Sequence, residues 1–138
     1  MLNKSKRSSG SQPEFFADRC LGKSAPRILV SKGWSVSVIS DHFSDDAQNV
    51  SDPEWIAYGL SRGWSLLTQD LRIAMQTEAH TLLRAHQGSI FCLDSSELPV
   101  HVRAERFDSR RGPIFQTVLD RRTGFFVVHD KGPPRRKR

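Results

Sequence analysis

The stretch Ser51–Asp70, SDPEWIAYGLSRGWSLLTQD, contains a helix start, an apolar helix and a short buried strand in direct succession. Ser51 and Glu54 have the S-x-x-E spacing of a capping box, in which each side chain bonds a backbone N–H that the first helical turn leaves open. Pro53 also suits that first turn. The pattern predicts a helix that ends near Gly63, followed by a strand that stops just before the final Asp.

Four further strands are predicted on either side of this unit, with helical patterns between them. Strands that alternate with helices indicate a parallel sheet covered by helices on both faces. We therefore expect an α/β fold with a mainly parallel sheet of four to five strands in the order 2-1-3-4-5. The predicted strands lie at residues 14–18, 34–39, 64–68, 89–93 and 124–128.

The length of 138 residues suits one domain with a hydrophobic core and is too short for two. We expect a disordered basic tail at residues 1–12, one domain at residues 13–130, and an extended basic tail with prolines at residues 131–138. The sequence has no apolar run of membrane length and no secretory signal, so we expect a cytoplasmic protein without membrane contact. Cys20 and Cys92 lack the spacing of a zinc site, and both are expected to be reduced and buried.

The formal net charge of +6 is concentrated at the two ends of the chain. Eight basic residues lie in the predicted tails, so that residues 13–130 carry a net charge of −2. Basic tails on a slightly acidic body suit a protein that captures a phosphate backbone and presents it to a metal site. Solubilising tails without a ligand explain the same charges. The tail residues are Lys4, Lys6, Arg7, Lys131, Arg135, Arg136, Lys137 and Arg138.

Asp residues follow two predicted strands and begin one predicted helix. Asp18 and Asp70 end the first and third strands, which are neighbours in the expected order and about 4.8 Å apart. Asp52 stands at the helix start. Carboxylates gathered at this edge of a sheet repel one another unless a cation compensates, and hard Mg²⁺ or Mn²⁺ prefers such oxygen ligands. The three acids therefore predict a divalent metal site, although each one taken singly is equally well explained as a cap.

The order of these acids resembles that of a known family. FFAD at Asp18, SDPEWI at Asp52 and LLTQD at Asp70 are similar to motifs of the PIN-like nucleases, particularly the toxins of VapBC-type toxin–antitoxin pairs. The resemblance covers residues 14–93. It implies a single PIN-like domain and a Mg²⁺-dependent endoribonuclease that hydrolyses RNA phosphodiester bonds, with the three acids as catalytic metal ligands. It also implies a cognate antitoxin partner and a homodimer.

The family pattern includes one more acid, a Glu on a helix after the second strand. The corresponding region of this chain has Asp41, Asp45 and Asp46 but no Glu. Glu54 lies one helical turn beyond that region, where its capping role explains it equally well. The identity of a fourth metal ligand therefore stays open between Asp41 and Glu54.

Basic residues near the predicted strand ends are candidates for RNA binding. Arg72 follows Asp70 and offers a planar guanidinium to a phosphate, while Arg19 and Lys23 flank the end of the first strand. Ordinary surface positions explain all three as well. We expect an antitoxin to cover the apolar and basic surface of residues 98–107, or to place a basic side chain among the acids.

Two other functions fit parts of the sequence. A signalling receiver domain has the same strand order, but such a domain has a pair of acids after its first strand, where this chain has Asp18 alone. It also has a Lys at the end of its fifth strand, where this chain has His129 and Asp130. A non-catalytic module with a degenerate PIN-like site would instead bind nucleic acid or protein through the basic tails. RNA cleavage that depends on metal distinguishes the enzyme from this module.

Overall fold

The predicted parallel sheet is present, with one further strand at its edge. The structure, a computed structural model, describes residues 12–137. The expectations for residues 1–11, which include the basic N-terminal residues, and for residue 138 lie outside the described part. The sheet order is β2-β1-β3-β4-β5-β6, in which the last strand alone is antiparallel to its neighbour, and this confirms the predicted 2-1-3-4-5 arrangement. The strands are β1 Glu14–Ala17, β2 Ser35–Val38, β3 Ser65–Thr68, β4 Ser89–Leu93, β5 Gly124–Val128 and β6 Arg135–Arg136.

Helices cover both faces of the sheet, as the alternating pattern predicts. Because successive strand residues point to opposite faces, each face has its own hydrophobic core. One core joins the sheet to α2 and α3, and the other joins it to α1, α4 and α5. The helices are α1 Ser24–Ser31, α2 Asp52–Ser61, α3 Thr77–His86, α4 Val100–Ser109 and α5 Arg111–Leu119. The first core includes Phe16, Trp55, Leu66 and Leu83, and the second includes Phe15, Leu29, Leu67 and Phe107.

The capping box predicted for α2 is formed. Ser51 Oγ accepts the N–H of Glu54 at 3.3 Å, and Glu54 Oε1 accepts the N–H of Ser51 at 3.0 Å. The helix ends at Ser61, and Gly63 adopts a φ of +79°, which favours glycine. The cap fixes Asp52 as the first helical residue.

Helix α2 lies directly against the central strands because Gly59 has no side chain. A Cβ atom at this position would lie 2.6 Å from Leu66 Cδ2 and 2.8 Å from Phe16 Cδ2. Both distances are shorter than a carbon–carbon contact allows. Gly59 therefore sets how closely α2, and with it Asp52, approaches β1 and β3.

Two local predictions are wrong. Ser95 or Ser96 is expected to cap α4, but the helix begins at Val100, and Ser95 Oγ accepts the N–H of Glu97 in the preceding loop. A serine hydroxyl that closes a local turn in this way is not available to a helix end. Cys92 is buried as expected, whereas Cys20 is an exposed residue in a 3-10 turn beyond the end of β1, with only its thiol turned toward the buried Asp18 and Thr68.

The C-terminal segment adds to the sheet. Strand β6 pairs with β5, so that Arg136 lies opposite Phe126 and Arg135 opposite Val127. The backbone of residues 135–136 thus covers the β5 edge, while β2 forms the other edge. None of the helices in residues 12–137 combines the length and the apolar character needed to cross a bilayer.

Candidate metal centre

Thr68 joins the ends of β1 and β3. The register places Ala17 opposite Leu67, and the N–H of Asp18 donates to Leu67 O at 2.9 Å. Thr68 Oγ1 then donates to Asp18 Oδ2 at 2.8 Å and accepts the N–H of Asp70 at 3.1 Å. A single, fully buried hydroxyl therefore holds the first acid and the backbone of the third in one arrangement.

Asp18 carries a buried carboxyl group, with 8% of the residue exposed. Burial raises the pKa of Asp18 above its ordinary value, and the charge of Asp52 raises it further. Hydrogen bonds from Thr68 and Cys20 favour the ionised form and offset part of this rise in pKa. The ionised group is therefore costly in the absence of a cation, and Asp52 contributes to this cost.

Cys20 is a partner of Asp18 that the sequence interpretation missed. Its Sγ donates to Asp18 Oδ2 at 3.2 Å and lies 3.4 Å from Thr68 Oγ1. Loss of hydration, followed by the charge of Asp18, raises the pKa of Cys20 to about 12, so the thiol keeps its proton at neutral pH. Gln69 Nε2 donates to the backbone oxygen of Cys20 at 2.9 Å and holds this turn against the strand end.

Asp52 is fixed from two helices. Its Oδ1 accepts the indole N–H of Trp55 at 2.9 Å, and its Oδ2 accepts the amide N–H of Gln76 at the same distance. Trp55 lies one turn further along α2, and Gln76 precedes α3. The sequence predicts the position of Asp52 at a helix start but gives no signal for the contact with Gln76, which lies 24 residues away.

Asp70 is bound by Arg72 in a fork. Nε of Arg72 lies 2.9 Å from Asp70 Oδ1, and Nη2 lies 3.0 Å from Asp70 Oδ2. The backbone N–H of Arg72 also donates to Oδ1, so that Asp70 caps the 3-10 turn Leu71–Met75. The hydrogen bonds from Arg72 lower the pKa of Asp70. The predicted metal ligand and the predicted RNA-binding residue therefore contact each other.

The three acids meet in one region, but each has protein partners. The charge of Asp52 acts on both Asp18 and Arg72, which connects all three acids electrostatically. Within residues 12–137, however, no three His, Cys, Asp or Glu side chains are arranged to hold a metal ion together. Mg²⁺ needs only one or two carboxylates when a phosphate supplies further oxygens. Asp18 and Asp52, which interact electrostatically, are therefore candidate ligands of a hard divalent cation, whereas both oxygens of Asp70 are bound by Arg72.

The two candidates for a fourth ligand have different surroundings. Glu54 is exposed and accepts the N–H of Ser51, which lowers the pKa of its carboxyl group. Asp41 lines a cavity of about 260 Å³ between α1 and β2, and the three acids are not among the residues that line it. The structure thus gives Glu54 a capping contact and places Asp41 beside the outer strand.

The three basic candidates are exposed, and one of them contacts an acid. Arg72 is beside Asp70, with 88% of its side chain exposed. Arg19 is exposed in the 3-10 turn that directly follows Asp18. Lys23 is also exposed, and it lines the same cavity as Asp41.

Asp94, at the end of β4, belongs to a different group of side chains. Arg106 Nη1 lies 2.5 Å from Asp94 Oδ1, and His129 Nδ1 lies 3.3 Å from Asp94 Oδ2. Arg106 differs from Arg72 because its side chain is only 16% exposed, so that this pair is held within the protein. Asp94 also follows β4, one strand farther from β1 than β3 is, and we therefore do not include it in the candidate metal centre.

Residues 13–95 match the family described as "PIN like domain", and the chain belongs to this family. The matching part includes strands β1 to β4 and the three acids. Among curated proteins, the chain is similar to "Putative ribonuclease VapC45" of Mycobacterium tuberculosis, with 27% identity over 116 residues, which is 83% of this chain and 84% of that protein. No solved structure matched the chain. The family assignment favours the PIN-like interpretation over the receiver domain.

Proposed function

We propose that the protein is a metal-dependent endoribonuclease and the toxin of a VapBC-type toxin–antitoxin pair. The observation that supports this proposal is the hydroxyl of Thr68, which bonds both Asp18 and the backbone N–H of Asp70 at the carboxyl edge of a PIN-like sheet, while the charge of Asp52 acts on Asp18. The name of the M. tuberculosis relative supports both the ribonuclease activity and the toxin class. A cytoplasmic location, where RNA is available, is part of the same proposal.

The acids provide the metal ligands, and neighbouring side chains hold them in place. Bound Mg²⁺ or Mn²⁺ would lower the pKa of a water molecule and stabilise the charge that develops on the phosphodiester. Thr68 and Cys20 orient Asp18, while Trp55 and Gln76 orient Asp52. These contacts fix the carboxylates before substrate binds, which reduces the cost of assembling the site.

The RNA backbone is expected to cross the same edge of the sheet. Arg72, Arg19 and Lys23 lie around the acids or at the adjoining turn, where their positive charges attract phosphate groups. Their role is to bring a phosphate to an edge that would otherwise repel it.

Cleavage of RNA in the presence and absence of chelator tests the proposal. We expect Mg²⁺-dependent cleavage by the natural protein, and a loss of activity in EDTA and in the variants Asp18→Asn and Asp70→Asn. Asp120→Asn is a matched control, because Asp120 is an exposed acid at the C-terminal end of α5. Cleavage that persists in EDTA, or that survives both substitutions, would contradict the proposal.

A second function, a binding module with a degenerate site, is favoured by one observation. The acids of the described residues do not form a ready three-ligand group. Such a module would bind RNA equally well with and without chelator and would not cleave it. The same experiment therefore separates the two functions.

We further propose a protein partner and a homodimer. The predicted antitoxin surface at residues 98–107 needs revision, since Ala104 and Phe107 are fully buried and Arg106 is paired with Asp94. The exposed positions that remain on α4, including Val100 and His101, are available to a partner. Co-purification of the protein with the product of a neighbouring reading frame, followed by light scattering of each species, tests both proposals.

A further inference from the structure

The contact between Arg72 and Asp70 occupies the acid that the proposed activity requires. Both carboxylate oxygens of Asp70 accept hydrogen bonds from the guanidinium, at 2.9 and 3.0 Å. A guanidinium and a divalent cation compete for the same oxygens, because both bind through the lone pairs of the carboxylate. Arg72 therefore neutralises Asp70 while no metal is bound there.

This pairing is easily reversed. The Arg72 side chain is 88% exposed, whereas that of Asp70 is 19% exposed. Exposed ion pairs contribute little to stability, since water solvates the separated charges well. When the guanidinium leaves, the backbone N–H of Arg72 still caps Asp70, and Thr68 still holds the N–H of Asp70. Release of the side chain thus leaves the acid in place.

A guanidinium that is released from Asp70 can bind a phosphate group instead. Arg72 lies two residues from Asp70, so its guanidinium stays near the acid that would hold the cation and can reach a phosphate bound to that cation. Arginine binds phosphate through two parallel hydrogen bonds, as it binds the carboxylate in the fork. The same side chain therefore suits both partners, in different states of the site.

We propose that Arg72 exchanges Asp70 for an RNA phosphate when Asp70 accepts a divalent cation. This inference rests on the proposed function and adds to it a coupling between metal binding and RNA binding. In the metal-free protein Arg72 is bound to Asp70, so that an incoming cation has to displace it, and it contributes little to RNA binding. In the metal-loaded protein it binds the RNA. Because linkage is reciprocal, RNA that holds Arg72 also raises the affinity of the site for metal.

Two titrations of the full-length, metal-free protein test the exchange. Calorimetry with Mn²⁺ measures metal affinity, and tryptophan fluorescence gives a second signal because the indole of Trp55 donates to Asp52. Anisotropy of a labelled phosphorothioate RNA, which resists hydrolysis, measures RNA affinity in EDTA and in Mn²⁺. The variants are Arg72→Gln and Arg72→Lys, with Arg84→Gln as the matched control, since Arg84 is an exposed arginine in the last turn of α3.

We expect Arg72→Gln to bind Mn²⁺ about threefold more tightly than the natural protein, because an exposed competitor is removed. The same variant should bind RNA about tenfold more weakly in Mn²⁺ but with unchanged affinity in EDTA. The Mn²⁺ and RNA affinities of Arg72→Lys should lie between those of the natural protein and of Arg72→Gln. The affinities of Arg84→Gln should match those of the natural protein. An arginine that simply contacts RNA would weaken binding equally under both conditions.

The possible failures are distinguishable. If the natural protein binds Mn²⁺ and cleaves RNA while Arg72→Gln has unchanged or weaker metal affinity, the exchange is wrong and the proposed function stands. Equal loss of RNA affinity with and without metal also overturns the exchange. If neither the natural protein nor any variant binds Mn²⁺, the metal site and the exchange are both wrong.

Discussion

Among the single residues of the site, Asp18 has the carboxyl group whose ionisation is most unfavourable in the folded protein. Its pKa is raised by burial and by Asp52, so the folded protein holds this proton more tightly than the unfolded chain does. As the pH rises above the ordinary value of 3.8, the unfolded chain ionises first, and the stability contributed by the protonated form is lost. At neutral pH the ionised Asp18 therefore destabilises the metal-free protein.

Replacing this carboxylate with an amide should stabilise the metal-free protein. In chelator at pH 7, we expect Asp18→Asn to unfold at a higher temperature than the natural protein, because an amide has no charge to desolvate. The difference should shrink as the pH falls below 3.8, because the natural carboxyl then becomes protonated in the unfolded chain as well as in the folded protein. Thermal unfolding at several pH values measures this, and a variant that is less stable at pH 7 in chelator would contradict it.

Thr68 should matter to the fold as well as to the site. We expect Thr68→Val to destabilise the protein by about 1–3 kcal/mol, since the buried Asp18 carboxylate loses a donor. RNA cleavage should fall about 10- to 100-fold, as is typical when the partner of a metal ligand is removed. Urea unfolding and cleavage assays measure both effects. Thr68→Ser keeps the hydroxyl and should retain most of each property, so a serine variant as damaged as valine would refute this role.

Strand ends and a helix start were sufficient to predict where the three acids lie in the fold, but not the side chains that bond them. Asp18 and Asp70 lie at the same edge because they follow neighbouring parallel strands, whereas Asp52 begins α2. The contact of Thr68 with Asp18 spans 50 residues of chain, and no local pattern specifies it. The position of Arg72 was predicted, whereas its fork with Asp70 depends on side-chain geometry that the sequence does not reveal.

Among the elements, α2 links local sequence to the site most directly. Its capping box was predictable because both partners lie within four residues of each other. The start of α4 was not, because a serine near a helix can close a local turn instead. Strong local signals therefore predict an element well where no competing local contact exists.

Loss of the cap on α2 should weaken both the helix and the metal site. We expect Ser51→Ala to cost about 1 kcal/mol of stability, the usual effect of removing an N-cap. Metal affinity should also fall, because Asp52 is the next residue and depends on the cap for its position. Ser61→Ala is the control, since Ser61 lies at the other end of the same helix and donates to Tyr58 O. Urea unfolding measures the stability and calorimetry measures the Mn²⁺ affinity. If Ser51→Ala and Ser61→Ala had the same stability and the same Mn²⁺ affinity, the prediction would be wrong.

For the whole molecule, sheet order and charge distribution define how RNA meets the acids. The order of the five parallel strands followed from the alternation of strands with helices. Strand β6 was not predicted as a strand, because a two-residue pairing in a tail with prolines leaves no periodic pattern. The net charge of +6 is the sum of a slightly acidic body, residues 13–130, and two basic ends, for which we propose a role in attracting RNA.

Neutralising the N-terminal basic residues should reduce the salt dependence of RNA binding. Removal of one ion pair between the protein and an RNA phosphate lowers the slope of log K against log salt by about 0.7 for single strands. We expect the triple variant Lys4→Gln, Lys6→Gln, Arg7→Gln to lower the slope by up to about 2, with little change in thermal stability. Anisotropy at several salt concentrations measures the slope. An unchanged slope would mean that these residues do not bind the RNA.

We propose that Asp18, Asp52 and Asp70 bind one divalent cation at the edge of the sheet. Anomalous scattering from crystals grown with Mn²⁺ would locate this cation. We predict a peak about 2.0–2.3 Å from oxygens of Asp18 and Asp52, close to the distances typical of Mg²⁺. With RNA also bound, we predict that Asp70 joins these ligands and that Arg72 has turned away from it. Crystals in saturating Mn²⁺ with no peak between Asp18 and Asp52 would contradict the account.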